Sequence, residues 1–238
     1  MIRLACFDLD GTLVSSLPEI AAGVRELARR ESLPEPSDAV VGNMIGGGVR
    51  VLIERLAAWW CGSGGSPAIG EETLLKRLVA IWSAMDGGLI ALIPGAFEGV
   101  RALRDAGVST WLVTNKEESL ARAFLERRGL TDAFDGILGA HARPGVRLKP
   151  FPDMIEFAMR EAGASREETI MVGDSRNDAL AARAAGVRAL LVETGYNEGE
   201  PLARWAQGEG FTEVLPDAGA ACAKALREIR DEIEEGGE

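Results

Sequence analysis

Cysteine, histidine and tyrosine are scarce in this 238-residue chain, which has three cysteines, one histidine and one tyrosine. The cysteines are Cys6, Cys61 and Cys222, an odd number with no CxxC pair among them. We therefore expect no disulfide framework and no zinc site, and the composition suits a reducing compartment. Cys6 lies in an apolar run and is expected to be a core residue.

Long apolar runs and an excess of positive charge are also missing. No run of 18 apolar residues is free of charge, which argues against a membrane span. Only four apolar residues precede Asp8 after Arg3, which is too few for a signal peptide, so we expect a cytoplasmic protein. The formal net charge is −11, from 26 basic and 37 acidic residues, and it disfavours nucleic acid and membranes as partners. A small anionic substrate stays open, because a bound metal or local cations can invert the local field.

Short apolar runs that alternate with helical patterns predict an α/β fold. Residues 2–7, 108–113, 136–138, 169–172 and 187–192 have the length and flanking residues of buried strands. Helical patterns occupy residues 117–128, 152–161, 177–185 and 215–234. This order predicts a Rossmann-like parallel sheet with helices on both faces.

The long segment between the first two strands predicts an inserted helical domain. Ser16 to Glu19 has the pattern of a capping box, and further helices carry residues 52–60 and 74–85. We expect a helical cap domain at residues 17–86 and an α/β core domain formed by residues 1–16 and 87–238. The tryptophans of the segment, Trp59, Trp60 and Trp82, fit the core of this small domain, an interface or a ligand-stacking site, and the core is favoured.

Polar residues follow the predicted strands at the edge of the sheet where ligands bind in parallel α/β folds. They are Asp8, Asp10, Thr114, Asn115, Asp174 and Asp178, with Lys149 in the loop after the third strand. Carboxylates, a backbone carbonyl and waters form the oxygen ligand set that suits Mg²⁺. Gly11 permits close approach of the backbone to a phosphate, while Thr114 and Lys149 can hold its oxygens. Positioning and charge neutralisation of this kind are most of what phosphoryl transfer needs.

Four segments resemble the motifs of the haloacid dehalogenase-like hydrolase superfamily, in the branch with a helical cap after the first strand. They are Asp8-Leu9-Asp10-Gly11-Thr12-Leu13-Val14, Thr114-Asn115-Lys116, Lys149-Pro150 and Gly173-Asp174-Ser175-x-x-Asp178. Within that branch the resemblance is greatest to phosphoglycolate phosphatases, over residues 7–14, 45–49, 113–116 and 172–186.

The resemblance implies a role for each motif residue. Asp8 would be the nucleophile that forms an aspartyl-phosphate, and Asp10 the acid and base for leaving group and water. Mg²⁺ would be held by the Asp8 side chain, the Asp10 carbonyl and Asp174, with Asp178 supporting it directly or through water. The substrate-binding set would be Gly11, Thr12, Thr114, Asn115 and Lys149.

Several further residues have two interpretations. Gly46 to Gly48 is either a turn between helices or a loop facing the substrate, and Arg50 beside it can pair with a substrate carboxylate. Lys116 is either a substrate contact or a solvated residue at a helix start. His141 is expected to be a loop residue, because Asp10 already supplies the acid–base role.

The leading functional hypothesis is a Mg²⁺-dependent phosphatase acting on a small phosphorylated metabolite, 2-phosphoglycolate first. A β-phosphoglucomutase-like phosphotransferase or a pyrophosphatase of the same fold is the alternative. A dehalogenase would need neither Asp10 nor Asp174. A binding protein without catalysis is disfavoured by the complete set of acids and Lys149.

Overall fold

The computed structural model describes residues 1–197 and 199–236. Its strands, numbered in chain order, are β1 (Leu4–Phe7), β2 (Val14–Ser15), β3 (Ala91–Leu92), β4 (Ser109–Glu117), β5 (Gly136–Ala140), β6 (Thr169–Gly173), β7 (Arg188–Val192) and β8 (Val214–Leu215). Six of them form one sheet in the order β5-β4-β1-β6-β7-β8, and every neighbouring pair is parallel. The predicted Rossmann-like parallel sheet is therefore confirmed.

Helices fill the connections between the strands. They are α1 (Leu17–Arg30), α2 (Asp38–Gly42), α3 (Gly48–Gly62), α4 (Glu71–Ala84), α5 (Ala96–Asp105), α6 (Glu118–Arg128), α7 (Asp153–Ala162), α8 (Arg176–Ala185), α9 (Leu202–Gly208) and α10 (Ala218–Gly236). The sequence patterns did not predict α2, α5, α9 or the short strands β2, β3 and β8. Within the described residues, no helix combines the length and apolarity that crossing a membrane requires.

The central strand β1 is buried on both faces, as expected for a parallel sheet covered by two helical layers. Ala5 and Phe7 belong to an apolar cluster with residues of α5, α6 and α10. Leu4 and Cys6 point the other way, into a cluster with residues of α7 and α8. This alternation follows from the two-residue period of a strand, and Cys6 is a core residue as predicted.

The helices α1 to α4 pack around an apolar core of their own. Trp60 is completely buried in it, and its indole N–H donates to the carbonyl of Pro34 at 2.9 Å. Trp59 and Trp82 are partly buried against the same core. The two connections to the sheet pair with each other as the antiparallel strands β2 and β3. The domain boundaries at residues 17 and 86 stay a prediction.

The predicted capping box at the start of α1 is wrong. The Ser16 side chain makes no capping hydrogen bond, and its Oγ is buried without a hydrogen-bond partner. Instead, the backbone N–H groups of Ser16 and Leu17 donate to the Tyr196 hydroxyl at 3.2 and 2.9 Å. The Glu19 carboxylate accepts from the backbone N–H of Leu89 at 3.3 Å. Residues distant in sequence thus replace the hydrogen bonds that a capping box would form within the first turn. A local sequence pattern cannot predict such partners.

Candidate active site

The predicted functional residues converge because β1 lies between β4 and β6 in the sheet. Phe7 pairs with Leu112 on one side and Val172 on the other, so the residues just beyond these three positions lie together at one edge of the sheet. Thr114 and Asn115, predicted to follow the strand, are the later residues of β4 itself. Asp8, Thr114 and Asp174 consequently lie side by side at the carboxyl end of the sheet, where ligands bind in this architecture.

Three buried carboxylates form the only group of three or more potential metal ligands within residues 1–197 and 199–236. Asp8, Asp174 and Asp178 each offer an oxygen, and these oxygens lie within 4.8 Å of one another. Burial raises the pKa of Asp8 to about 6 against the opposing charge of Lys149. Burial raises the pKa of Asp174 well above its usual range, and the negative charges of Asp8 and Asp178 add to this increase. Crowded, buried oxygen donors of this kind fit a hard divalent cation such as Mg²⁺.

Lys149 is the cation inside this acidic group. Its Nζ lies 2.9 Å from Asp8 Oδ1 and 2.6 Å from Asp178 Oδ1, and it donates to the Val113 carbonyl at 2.8 Å. Burial by itself would lower the pKa of Lys149, but the charges of Asp178 and Asp8 outweigh it and raise that pKa above its ordinary range. Lys149 therefore stays protonated and neutralises part of the negative charge around Asp8.

Two of the acids are held in place by hydrogen bonds. The Thr12 hydroxyl donates to Asp174 Oδ1 at 2.6 Å, and the Tyr196 N–H donates to Asp174 Oδ2 at 2.9 Å. Asp178 Oδ2 accepts from the backbone N–H and hydroxyl of Ser175 at 3.0 and 2.6 Å, in a capping box that begins α8. The side chain of Thr12, which was predicted to bind substrate, is thus buried and orients Asp174.

Gly11 is required by its contact with Asp174. Its φ is +94°, and a Cβ at this position would lie 2.4 Å from Asp174 Oδ2 and 2.8 Å from the Cα of Gly195. No side chain fits in that space, so the chain can turn after Asp10 only with glycine. A contact between Gly11 and a phosphate stays a prediction.

Asp10 and Lys116 form a second ion pair beside the three acids. Lys116 Nζ lies 3.0 Å from both carboxylate oxygens of Asp10, and each side chain is 14% exposed. The Asp10 carboxylate is not part of the group formed by Asp8, Asp174 and Asp178. Asp8 and Asp10 therefore have different ion-pair partners, although both line the same cavity. Lys116, which the sequence left between two interpretations, therefore lies in the site.

The Asn115 side chain, on β4, joins the loop of Lys149 to the Gly46 loop of the helical segment. Its Nδ2 donates to the carbonyls of Lys149 at 2.8 Å and Gly46 at 3.1 Å, and its Oδ1 accepts from the Lys149 N–H at 2.9 Å. Asn177 Nδ2 donates to the same Gly46 carbonyl at 3.1 Å. The Gly46 loop is therefore fastened over the site by two amides, in a closed arrangement.

Neither Asn177 nor Tyr196 was predicted as a site residue, and Asn115 was predicted to bind the phosphoryl group. Asn177 lies inside the fourth motif, and Tyr196 is the only tyrosine of the chain and follows a strand at the same sheet edge. Both residues could have been proposed from these positions in the sequence. Phosphoryl binding by Asn115, and by the buried Thr114 that lines the cavity, stays a prediction.

A cavity of about 270 Å³ extends from Asp8 and Asp10 between the helical segment and α6. Lys116 lines it, but Arg50 does not. The Arg50 side chain is 57% exposed and pairs with Glu72 at 3.1 Å. His141, at 67% exposure, lies on a loop as predicted. The structure therefore brings Lys116 into the site rather than Arg50, whose contact with a substrate stays a prediction.

Comparison with known proteins agrees with this geometry. The haloacid dehalogenase-like hydrolase family model matches residues 2–186. Phosphoglycolate phosphatase 1 of Pseudomonas aeruginosa is 37% identical over 232 residues, which cover 95% of this chain and 82% of that protein. The phosphoglycolate phosphatase of Caulobacter vibrioides is 35% identical over 198 residues, covering 82% and 81% of the two chains.

Solved structures show the same architecture. A predicted phosphoglycolate phosphatase from Haemophilus somnus superposes with a TM-score of 0.86 at 28% identity, covering 94% of this chain and 98% of that chain. CbbY from Rhodobacter sphaeroides, solved in complex with phosphate, gives a TM-score of 0.75 at 23% identity over 92% and 96% of the chains, which shows the fold alone.

Proposed function

The chain belongs to the haloacid dehalogenase-like hydrolases and is a phosphoric monoester hydrolase, and we propose that it is a Mg²⁺-dependent phosphatase whose substrate is 2-phosphoglycolate. One observation carries the proposal above all. Asp8 lies at the end of the cavity with Lys149, Asp174 and Asp178 around its carboxylate. The similarity to phosphoglycolate phosphatases supports the choice of substrate.

The three-acid group fits a magnesium ion. The Asp8 side chain, the Asp10 carbonyl and Asp174 would hold it, while both Asp178 oxygens already accept hydrogen bonds from Lys149 and Ser175. Asp174 likewise accepts two hydrogen bonds, from Thr12 and Tyr196, so these bonds do not distinguish the two acids. Asp178 would support the ion either directly or by orienting Lys149. When bound, Mg²⁺ neutralises the charge shared by the acids and the phosphoryl oxygens.

The reaction is divided between Asp8 and Asp10. The Asp8 carboxylate attacks phosphorus, the ester P–O bond breaks, and Asp10 gives its proton to the departing alkoxide oxygen. Asp10 then takes a proton from water as the water attacks the aspartyl-phosphate, which releases phosphate and restores Asp8. Lys116 orients the Asp10 carboxylate from 3.0 Å.

Lys116 also suits the glycolate carboxylate. Its ammonium group has three N–H donors and lines the cavity next to Asp10, so it can hold a second anion while it contacts Asp10. Arg50 is outside the cavity and already paired with Glu72. We therefore assign the carboxylate contact to Lys116. The closed Gly46 loop would keep bulk water from the aspartyl-phosphate.

Release of inorganic phosphate from 2-phosphoglycolate tests this function. We expect turnover with Mg²⁺, none in EDTA, and none for Asp8→Asn under either condition. Net phosphate release also separates a phosphatase from a phosphotransferase, which would move the group without releasing it. Full turnover in metal-free buffer, or by Asp8→Asn, would contradict the proposal.

A further inference from the structure

The cavity beyond Asp10 and Lys116 is larger and more apolar than glycolate requires. The whole cavity, including its phosphoryl end at Asp8 and Asp10, has a volume of about 270 Å³, just below the range of about 300–1,000 Å³ found for pockets that bind drug-sized ligands. Glycolate has only two carbons and no bulky apolar group, so it offers nothing that matches the apolar walls of the cavity. The walls come from α1, α3, α4 and α6, and include Ile20, Val49, Leu52, Trp82, Leu120 and Phe124.

Four acidic and two basic side chains line the cavity, and both basic side chains already have partners. Lys116 is paired with Asp10, and Arg127 donates to the Met85 carbonyl at 2.8 Å. Glu19 and Glu117 also line the cavity. Beyond Lys116, a further anionic group would meet more acids than cations, whereas an uncharged apolar group would meet aliphatic and aromatic side chains.

We propose that this site also hydrolyses phosphate esters of bulky, uncharged, apolar primary alcohols, with benzyl phosphate as the test compound. The proposal rests on the proposed phosphatase function, because the phosphoryl end of the site is the same. The Asp8 carboxylate attacks phosphorus as the ester P–O bond breaks, and Asp10 gives its proton to the benzyloxide oxygen. Water then attacks the aspartyl-phosphate: its oxygen becomes part of the released phosphate, its proton returns to Asp10, and the Asp8 carboxylate is restored. The products are benzyl alcohol and phosphate, and the aromatic ring occupies the apolar part of the cavity.

Benzyl phosphate and ethyl phosphate make the decisive comparison. Both release a primary alkoxide, so they differ chiefly in the apolar group that the cavity must receive. We expect kcat/KM to be at least about tenfold higher for benzyl phosphate, since even small apolar groups change specificity by about that factor in a matched pocket. Benzylphosphonate, which cannot be hydrolysed, should likewise inhibit at a lower concentration than ethylphosphonate. That comparison needs no variant protein.

Ala123→Leu provides a test within the cavity wall. Ala123 lies on α6 and lines the cavity, so the longer side chain takes space from the ring. We expect the ratio of benzyl to ethyl phosphate hydrolysis to fall at least about fivefold, with 2-phosphoglycolate turnover within about twofold. Ala102→Leu is the matched control, because Ala102 is also a half-buried helical alanine but lies on α5, outside the cavity. It should leave the ratio unchanged.

Equal kcat/KM for benzyl and ethyl phosphate, or an equal fall for all three esters in Ala123→Leu, would overturn the inference. In that case, Asp8-dependent hydrolysis of 2-phosphoglycolate would leave the proposed function standing. Absence of Asp8-dependent hydrolysis with every ester would overturn both.

Discussion

Replacing Lys149 by methionine should destabilise the folded protein by about 3–5 kcal/mol, the cost typical of leaving a buried charge without its partner. Lys149 Nζ lies 2.9 Å from Asp8 and 2.6 Å from Asp178, and the lysine side chain is only 1% exposed. Methionine keeps most of the length and apolar packing of the side chain but removes the charge. Asp8, Asp174 and Asp178 would then share one buried site with no cation among them.

The magnitude follows from two opposing terms. At an effective dielectric constant of about 20, Coulomb's law gives roughly 6 kcal/mol of attraction for each of the two contacts. The cost of taking Lys149 out of water offsets a large part of this attraction, which is why removal of one partner costs less than the sum. A typical domain unfolds with about 5–15 kcal/mol, so the variant should be close to the limit of stability.

Urea unfolding in EDTA, followed by tryptophan fluorescence, measures this loss without a bound metal. Asp178→Asn serves as the control, because it removes one of the acids and leaves the Lys149–Asp8 pair intact. The double variant should lose less unfolding free energy than the two single variants lose together, with a difference of more than about 1 kcal/mol. An unchanged unfolding free energy for Lys149→Met, or strictly additive effects, would refute this account of the site.

Three further predictions concern the substrate, the closed loop and an ion pair far from the site. Lys116→Met should lower kcat/KM for 2-phosphoglycolate roughly tenfold or more, which corresponds to a loss of about 1.5–3 kcal/mol of transition-state stabilisation. Arg50→Ala should change kcat/KM less than twofold. Asn177→Ala removes one of two amides on the loop carbonyl and should raise KM by up to about tenfold, at about 0.5–1.5 kcal/mol per hydrogen bond. Hydrogen bonds from Arg188 lower the pKa of Glu228 to about 2. The contribution of Glu228 to the free energy of unfolding is therefore present above the unfolded pKa and is lost as pH falls toward 2. Glu228→Gln should accordingly lower the free energy of unfolding by about 1 kcal/mol at pH 7 and leave it unchanged near pH 2.

Each of these has a clear opposing result. Equal losses in Lys116→Met and Arg50→Ala, measured by steady-state kinetics, would place the carboxylate contact outside the cavity. Unchanged KM in Asn177→Ala would mean that the second amide holds the loop alone. A deficit of Glu228→Gln that is the same at pH 7 and pH 2, measured by urea unfolding, would show that the side chain acts through packing.

The order of strands and helices, and the positions of the motif residues at strand ends, could be predicted from the sequence. The reason is that both are local properties. A strand such as β1 is marked by its apolar run and by the aspartates that follow it, and neighbouring parallel strands bring their ends to one edge. The convergence of Asp8, Thr114 and Asp174 follows from that rule alone.

The partners of those residues were decided by tertiary structure. Ser16 has the local pattern of a cap, but the Tyr196 hydroxyl, 180 residues away in sequence, takes the N–H groups at the start of α1. Thr12 lies inside the first motif and was expected to bind substrate, yet its hydroxyl is directed to Asp174, 162 residues further along the chain. Such contacts depend on how loops pack across the sheet edge, which no spacing of residues in one segment encodes.

The assignment of the cationic residues shows the same division. Arg50 and Lys116 both carry the charge that a substrate carboxylate needs, and both lie beside a motif or loop expected to face the site. The direction in which α3 presents Arg50 leaves it exposed beside Glu72, whereas Lys116 follows Thr114 and Asn115 into the cavity. The sequence thus determined which residues carry the chemistry. Packing of the helical segment on the sheet determined which of them face the substrate, because a side chain reaches the cavity only where its backbone is directed toward it.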